Sequence, residues 1–390
     1  MKLSDAANRL EGQKMFQILA KTQELERKGK DILHFEIGDP DFNTPKSIVN
    51  AVYESLRKGE THYTNSSGLL ELKVAAAEVT AKSRGFKPNL NQILVTPGAN
   101  VQLYYALACA VNPGEDVIIP DPGFVSYNSI INFLGINQIK IPLREESEFR
   151  LNPDDVEKSI TEKTKMIIIN SPSNPTGAVM KEEEINRIYK IAEKNDIYLL
   201  SDEIYARMIY NDSETQFYSP SKLDNCKERT IIVNGFSKSY AMTGWRLGVV
   251  TGPSNIIDKM GLLLETTTSC VSPFIQRAGV EALKGSQYPI FEMVEEFKKR
   301  RDIIVKGLNT IRGISCVNPK GAFYAFPNIR ETGFSSEKFA EFMLEEAGVA
   351  VCPGNYFGKG GEGYVRLCYA NSLENINKGI ERMAYALKDG

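Results

Sequence analysis

The stretch NGFSKSYAMTGWRLGVVTG, residues 234–252, decides how the rest of the chain is read. An apolar run, TIIVNG, ends at Gly235, and Ser237 and Lys238 follow it. Arg246 comes later in the same loop, just before a second apolar run, LGVVTG. Short runs of this kind are buried strands, so the loop between them carries an amine, a hydroxyl and a guanidinium at a sheet edge. The alternation extends upstream. QILVTP, EDVIIP, QIKIPL, KMIIIN and IYLLSD are spaced by longer amphipathic stretches, which predicts a largely parallel α/β sheet. In one such stretch, residues 181–195, three glutamates precede Ile185, Ile188, Ile191 and Ala192, which share a face. That is a helix with acidic residues at its positive end.

Beyond residue 253 the texture changes to long helices, with Ile290, Val294, Phe297, Ile304 and Leu308 on one face. A strand pair (ISCVNP and AFYAFP), a helix near 336–347 and the strand YVRLCYA complete an α+β unit. The first 40 residues are expected to join it, with FEIGDPDFNTP as the linker into the main unit. Thr44 and Pro45 suit the N-cap and first position of the next helix.

A chain of 390 residues exceeds what one core usually organises, so two domains are expected. The net charge is −2 with both signs dispersed, which offers no basic track for nucleic acid. No run approaches the roughly 20 apolar residues of a membrane span. The polar start, MKLSDAANRLEGQKMF, lacks a signal peptide's apolar core, so a cytoplasmic protein is expected. Six cysteines without CxxC spacing read as free, buried thiols. Two histidines, His34 and His62, are too few for a histidine-built metal site, so no metal is expected and the chemistry falls to other groups.

Those groups stand at strand ends. A lysine at the mouth of a sheet is poorly hydrated, which favours the free amine that attacks an aldehyde. Arg246 and Ser237 suit a phosphate, as do the bare N–H groups of Gly98, Ala99 and Asn100 at a helix start. Asp202, at the end of IYLLSD, is a buried carboxylate that needs a positive partner, such as a protonated pyridine nitrogen. Tyr205 and Asn174 lie where they would meet a ring oxygen, and Phe124 where an aromatic face would cover a ring. Five sites after five strand ends is the ligand-binding arrangement of open α/β sheets.

With Asn174, Asp202, Lys238 and Arg246 in this order, the chain resembles the class I/II aminotransferases of the pyridoxal 5′-phosphate (PLP) fold type I. The likeness is to the bacterial aspartate aminotransferase branch and covers nearly the whole length. It implies an α/β large domain, 44–276, with a mostly parallel seven-stranded sheet, and a smaller α+β domain from 1–43 and 277–390. It also implies that Lys238 holds PLP as a Schiff base and shuttles the proton, with Asp202 on the pyridine nitrogen and Asn174 and Tyr205 on the ring oxygen. Phe124 would stack, and Gly98, Ala99, Asn100, Ser237 and Arg246 would take the phosphate. Arg366, in YVRLCYA, would clamp the substrate α-carboxylate beside the Gly38 backbone. Tyr63 would reach the phosphate of a neighbouring subunit, which implies a homodimer.

The implied activity is ping-pong transfer of an amino group from a donor, glutamate or aspartate, to a keto or carbonyl acceptor. Two positions depart from the pattern. Gly235 replaces a serine common three residues before the lysine. Asn100 replaces a lysine that pairs with a distal carboxylate in the aspartate/prephenate branch, which points to an acceptor that is not a dicarboxylate. The other readings are a decarboxylase or lyase of the same fold acting on a small polar or phosphorylated amino acid, and a PLP-binding regulatory domain.

Overall fold

The computed structural model describes residues 1–12 and 14–388. β1 is Leu33–His34. β2 (Ile93–Thr96), β3 (Asp116–Asp121), β4 (Asn137–Pro142), β5 (Thr164–Asn170), β6 (Tyr198–Asp202), β7 (Thr230–Gly235) and β8 (Gly248–Thr251) form a seven-stranded sheet. Four short strands follow: β9 (Tyr324–Ala325), β10 (Val349–Ala350), β11 (Cys352–Pro353) and β12 (Val365–Cys368). The large sheet has the order β2-β8-β7-β6-β5-β3-β4, and only β8 runs against its neighbours. The carboxyl ends of β2, β3, β5, β6 and β7 therefore share one edge. Because β8 is reversed, its amino end reaches that edge too and brings Arg246 with it.

Both faces of the central strands are covered, which is why they are apolar on successive residues, whereas the edge strand β4 is buried only at Ile141. Ile167, Ile168 and Ile169 of β5 are all buried. Each such side chain stabilises the fold by roughly 1.5–3 kcal/mol relative to exposure. The helix Glu182–Lys194 carries β5 back to β6 and buries Ile185, Ile188, Ile191 and Ala192, as its periodicity predicts. Glu182, Glu183 and Glu184 fill its first turn.

A second core gathers Leu33 and Phe35 with Phe297, Tyr324, Phe339, Val365, Leu367 and Ile376. Parallel pairing of β1 with β10 ties the start of the chain to its last third. The helix Pro273–Lys284 packs on the helices Lys46–Arg57 and Leu70–Arg84, so the expected boundary at 276 falls inside one helix of the sheet's cover.

Two local expectations shift. The helix expected from Thr44 and Pro45 begins at Lys46, because Pro45 is extended (ψ 137°) and takes the N-cap position. Thr44 instead donates to the Ala241 carbonyl at 2.6 Å. The two segments ISCVNP and AFYAFP meet only at an isolated bridge, Ser315 with Asn328, while β9 pairs with β12. All six cysteines are free, and four of them are buried.

Candidate active site

A cavity of about 210 Å³ opens at the shared sheet edge. Ala99, Asn100, Phe124, Asn174, Asp202, Tyr205, Ser237, Lys238, Arg246, Gly38 and Arg366 all line it. A larger hollow of about 330 Å³, between β7, β8 and the helix Leu70–Arg84, contains none of these side chains.

Lys238 follows β7, and its Nζ donates to the Gly38 carbonyl at 2.6 Å. Loss of hydration brings its ammonium from the ordinary lysine range down to about 8, against the pull of Asp39 and Cys368. About a tenth of it is therefore free amine at pH 7, far more than for an ordinary lysine. Gly38 carries no side chain for a steric reason: a Cβ there would stand 2.2 Å from Tyr324 Oη. The segment expected to be only a linker thus forms part of the cavity wall.

Asp202 ends β6 and is buried. Burial pushes its carboxyl up to about 6, against a hydrogen bond from Tyr127. Tyr127 Oη donates to Oδ2 at 2.7 Å and the Ile204 N–H to Oδ1 at 3.3 Å. Among the described residues no cation is within ion-pair distance of this carboxylate.

Arg366, on β12, is 1% exposed. Its Nη1 donates to Asn174 Oδ1 at 3.1 Å and its Nη2 to the Glu36 carbonyl. Its guanidinium lies over the rings of Tyr324 (4.7 Å) and Phe357 (4.8 Å). Nε has no partner, and among the described residues no carboxylate pairs with this buried cation. Asn174 is positioned by its own N–H, which donates to Asn170 Oδ1 at 2.9 Å.

At the other end of the cavity Gly98 has φ +88°, and the helix Asn100–Ala110 starts just after it. A Cβ on Gly98 would lie 2.4 Å from Arg246 Nη2, so glycine is what lets the guanidinium approach the helix start. Arg246 is fixed by a 2.8 Å bond from Nη1 to the Thr243 carbonyl. Ser237 is buried beside it.

Tyr63 lies apart, 86% exposed and outside the cavity. A reading of the sequence misses the wall residues Asn170, Tyr324 and Met15, and also Tyr127, which lies behind the wall on Asp202. Tyr127 stands one helical turn beyond Phe124 and packs edge-on against it at 5.7 Å. Tyr324 shares a 2.7 Å hydroxyl contact with Tyr205. Both tyrosines sit in apolar runs, where only the hydroxyl distinguishes them from core residues.

The sequence profile of the family "Aminotransferase class I and II" matches residues 30–383. The chain is 44% identical to the aspartate aminotransferase of Pyrococcus abyssi (strain GE5 / Orsay), covering 99% of this chain and 97% of that one. It is 43% identical to aromatic-amino-acid aminotransferase 2 of Thermococcus litoralis, covering 92% of each. The crystal structure of an aromatic aminotransferase from Pyrococcus horikoshii OT3 superposes with a TM-score of 0.89 at 45% identity, covering 95% of this chain and 99% of that one. A profile match over most of the chain, joined to relatives alike in sequence and fold, places this protein among the class I and II aminotransferases, and it is a transaminase.

Proposed function

We propose that Lys238 carries pyridoxal 5′-phosphate and that the enzyme moves an amino group from glutamate or aspartate to a carbonyl acceptor with an uncharged side chain. One observation carries the first half: Lys238, Asp202 and Arg366 line a single cavity, and among the described residues none of them is ion-paired. Buried charges without partners are costly, so the cavity is built for a ligand that completes them. PLP with an amino acid does so. Asp202 would hold its ring nitrogen, Lys238 its aldehyde carbon, and Gly98, Ala99, Asn100, Ser237 and Arg246 its phosphate, while Arg366 would hold the substrate carboxylate. When bound, the cofactor supplies an aldehyde carbon and an electron-withdrawing ring.

The chain's own groups do the rest. Lys238 moves the proton at the substrate α-carbon, for which a pKa of about 8 is well matched. Asp202 holds the ring nitrogen protonated. Asn174 commits its carbonyl oxygen to Arg366, which leaves its NH₂ for the ring oxygen beside the Tyr205 hydroxyl. Phe124 covers the ring. Tyr63 serves the neighbouring subunit of a C₂ homodimer. Six free thiols suit a reducing compartment, the cytoplasm.

The second half rests on the cavity's cations. Among its lining residues these are Lys238, Arg246 and Arg366, each with a role above, so within one subunit a dicarboxylate donor would leave its distal carboxylate to water or to a group of the partner subunit, while an uncharged acceptor side chain needs no such partner. Lys21 is engaged with Glu345 at 2.9 Å and Arg277 with Glu60 at 2.9 Å. Lys14 lies over the Tyr356 ring. Asn100, Met15 and Ile37 face an acceptor with an amide and apolar surface. The test is a panel of acceptors with glutamate as donor, for the wild type and Asn100→Lys. An uncharged 2-oxo acid or aldehyde should be the best acceptor, and Asn100→Lys should shift preference toward oxaloacetate. If oxaloacetate and 2-oxoglutarate are the best pair and the substitution brings no gain, this reading of the acceptor is wrong.

A further inference from the structure

A fully buried glutamate touches Arg366 through its backbone, while its carboxylate pairs elsewhere. Glu36 is 0% exposed, and its backbone carbonyl accepts Arg366 Nη2. Its carboxylate is turned elsewhere: Oε1 meets His34 Nδ1 at 2.8 Å, and Oε2 is buried without a hydrogen-bond partner. His34 ends β1, and Glu36 lies in the bend just past it, which lets the two side chains meet. The other ring nitrogen of His34 meets Glu26 Oε1, from the helix Met15–Arg27, at 3.0 Å. One imidazole thus bridges two carboxylates, an arrangement only the doubly protonated ring satisfies.

Backbone hydrogen bonds hold this segment in place. The Leu33 and Phe35 N–H groups donate to the Gly348 and Ala350 carbonyls, and the Phe35 carbonyl accepts from Cys368. Asn371 Nδ2 donates to the His34 carbonyl at 2.9 Å. What remains adjustable is the direction of the Glu36 side chain. His34 pairs with it, the Arg366 guanidinium is bonded to the backbone of the same residue, and both Glu36 and Arg366 act on the neutral Cys352 thiol, which burial pushes up to about 11.

We propose that His34 is the counter-ion that holds the Glu36 carboxylate off Arg366, so that the guanidinium keeps its charge for the substrate carboxylate. The inference rests on the reading of Arg366 as that carboxylate's clamp. Contact with Glu36 foremost, and with Glu26, raises the imidazolium to about 9, so His34 stays charged at neutral pH. Without His34, a buried carboxylate has one cation left to seek, and substrate must then displace an intramolecular rival. His34 is a positioning residue in this scheme, acting on specificity for carboxylates through Glu36.

The test is binding of 2-aminoisobutyrate, an amino acid without an α-hydrogen, to the holoenzyme by calorimetry, with retained cofactor measured separately. His34→Gln should weaken binding about tenfold or more, as expected when a buried charge is left to find a new partner. Adding Glu36→Gln to that variant should restore affinity to within about threefold, because the rival is gone. His34→Lys, which keeps a cation in place, should stay near wild type. Cofactor retention should be unchanged throughout. A role confined to packing would give no rescue in the double variant.

If His34→Gln fails to fold, the double variant alone decides: a tenfold loss there overturns the proposal. Arg366→Ala separates the two readings. If that variant loses binding while His34→Gln does not, the counter-ion proposal falls and the clamp stands. If Arg366→Ala binds as tightly as wild type, the clamp falls and the proposal with it.

Discussion

Tyr127 and Asp202 show what one hydroxyl does in a buried site. Burial alone disfavours the ionised carboxylate that a protonated ring nitrogen requires, and the Tyr127 bond at 2.7 Å works in the opposite sense. A hydrogen bond to a charged group contributes roughly 1.5–3 kcal/mol, and about 1.4 kcal/mol corresponds to one pKa unit. Tyr127→Phe should therefore raise the Asp202 pKa above its present value of about 6 by about one unit or more. The sign follows directly. If Asp202 holds the ring nitrogen as proposed, the ionised form that does so exists above the pKa, so the acid limb of PLP capture by the apoenzyme should move to higher pH. The alkaline inflection belonging to Lys238 should stay near 8. Fluorescence titration of apoenzyme with PLP across pH measures both, and an unmoved acid limb would refute the role of Tyr127. Reading the chain alone found Asp202, because a carboxylate ending an apolar strand is conspicuous, and missed Tyr127, because a tyrosine in VSYNSII looks like core. His34 was passed over for a related reason. Its two carboxylate partners are recognisable only once the helix Met15–Arg27 is folded against β1.

Among elements, the strand ends were legible and the small connections were not. Runs such as KMIIIN and IYLLSD announce buried parallel strands by their β-branched content, and each was found as a strand in the large sheet. The reversal of β8 is invisible in LGVVTG, since strand direction depends on pairing with β7 rather than on composition. Yet that reversal is what brings Arg246 opposite Gly98, and the pair tests how the cradle is made. Gly98→Ala places a Cβ 2.4 Å from Arg246 Nη2 at a backbone φ of +88°. The left-handed conformation costs alanine about 1 kcal/mol, a loss that the whole fold tolerates. The displaced guanidinium should weaken PLP binding about tenfold or more, in line with loss of one charge-assisted contact. Equilibrium dialysis with PLP, and with pyridoxal as the phosphate-free control, reads this out. An equal loss for both ligands would show that the substitution acts by general distortion, and the phosphate role of this cradle would be wrong.

At the scale of the whole molecule, one face of the chain is unfinished. On the helix Lys46–Arg57, Val49, Tyr53 and Leu56 are exposed at 45%, 60% and 44%, spaced as a single stripe, while Ile48 points inward. Tyr63 and Leu70 are exposed farther along the chain, and Leu262 is exposed on the helix Ser254–Thr268. The loop carrying Tyr63 is tethered to that second helix, since Ser66 Oγ donates to Glu265 at 2.9 Å. Large apolar side chains gathered on one face mark an interaction surface, and a C₂ dimer would cover it with a second copy. If Tyr63 of each subunit completes the other's phosphate site, the sites are shared, and sharing has a consequence that mixing can reveal. Tyr63→Ala and Lys238→Ala should each be nearly inactive as homodimers. In a hybrid of the two, one site keeps Lys238 from the first subunit and Tyr63 from the second, while the other site lacks both. Refolding an equimolar mixture should therefore restore activity to about a quarter of wild type, since half of the dimers are hybrids with one intact site of two. Differently tagged subunits, purified as hybrids, should reach about half. Sedimentation should show a dimer throughout, and Tyr53→Glu with Leu262→Glu should break it and abolish the recovery. A mixture no more active than its parents, or an active monomeric wild type, would place Tyr63 outside the site.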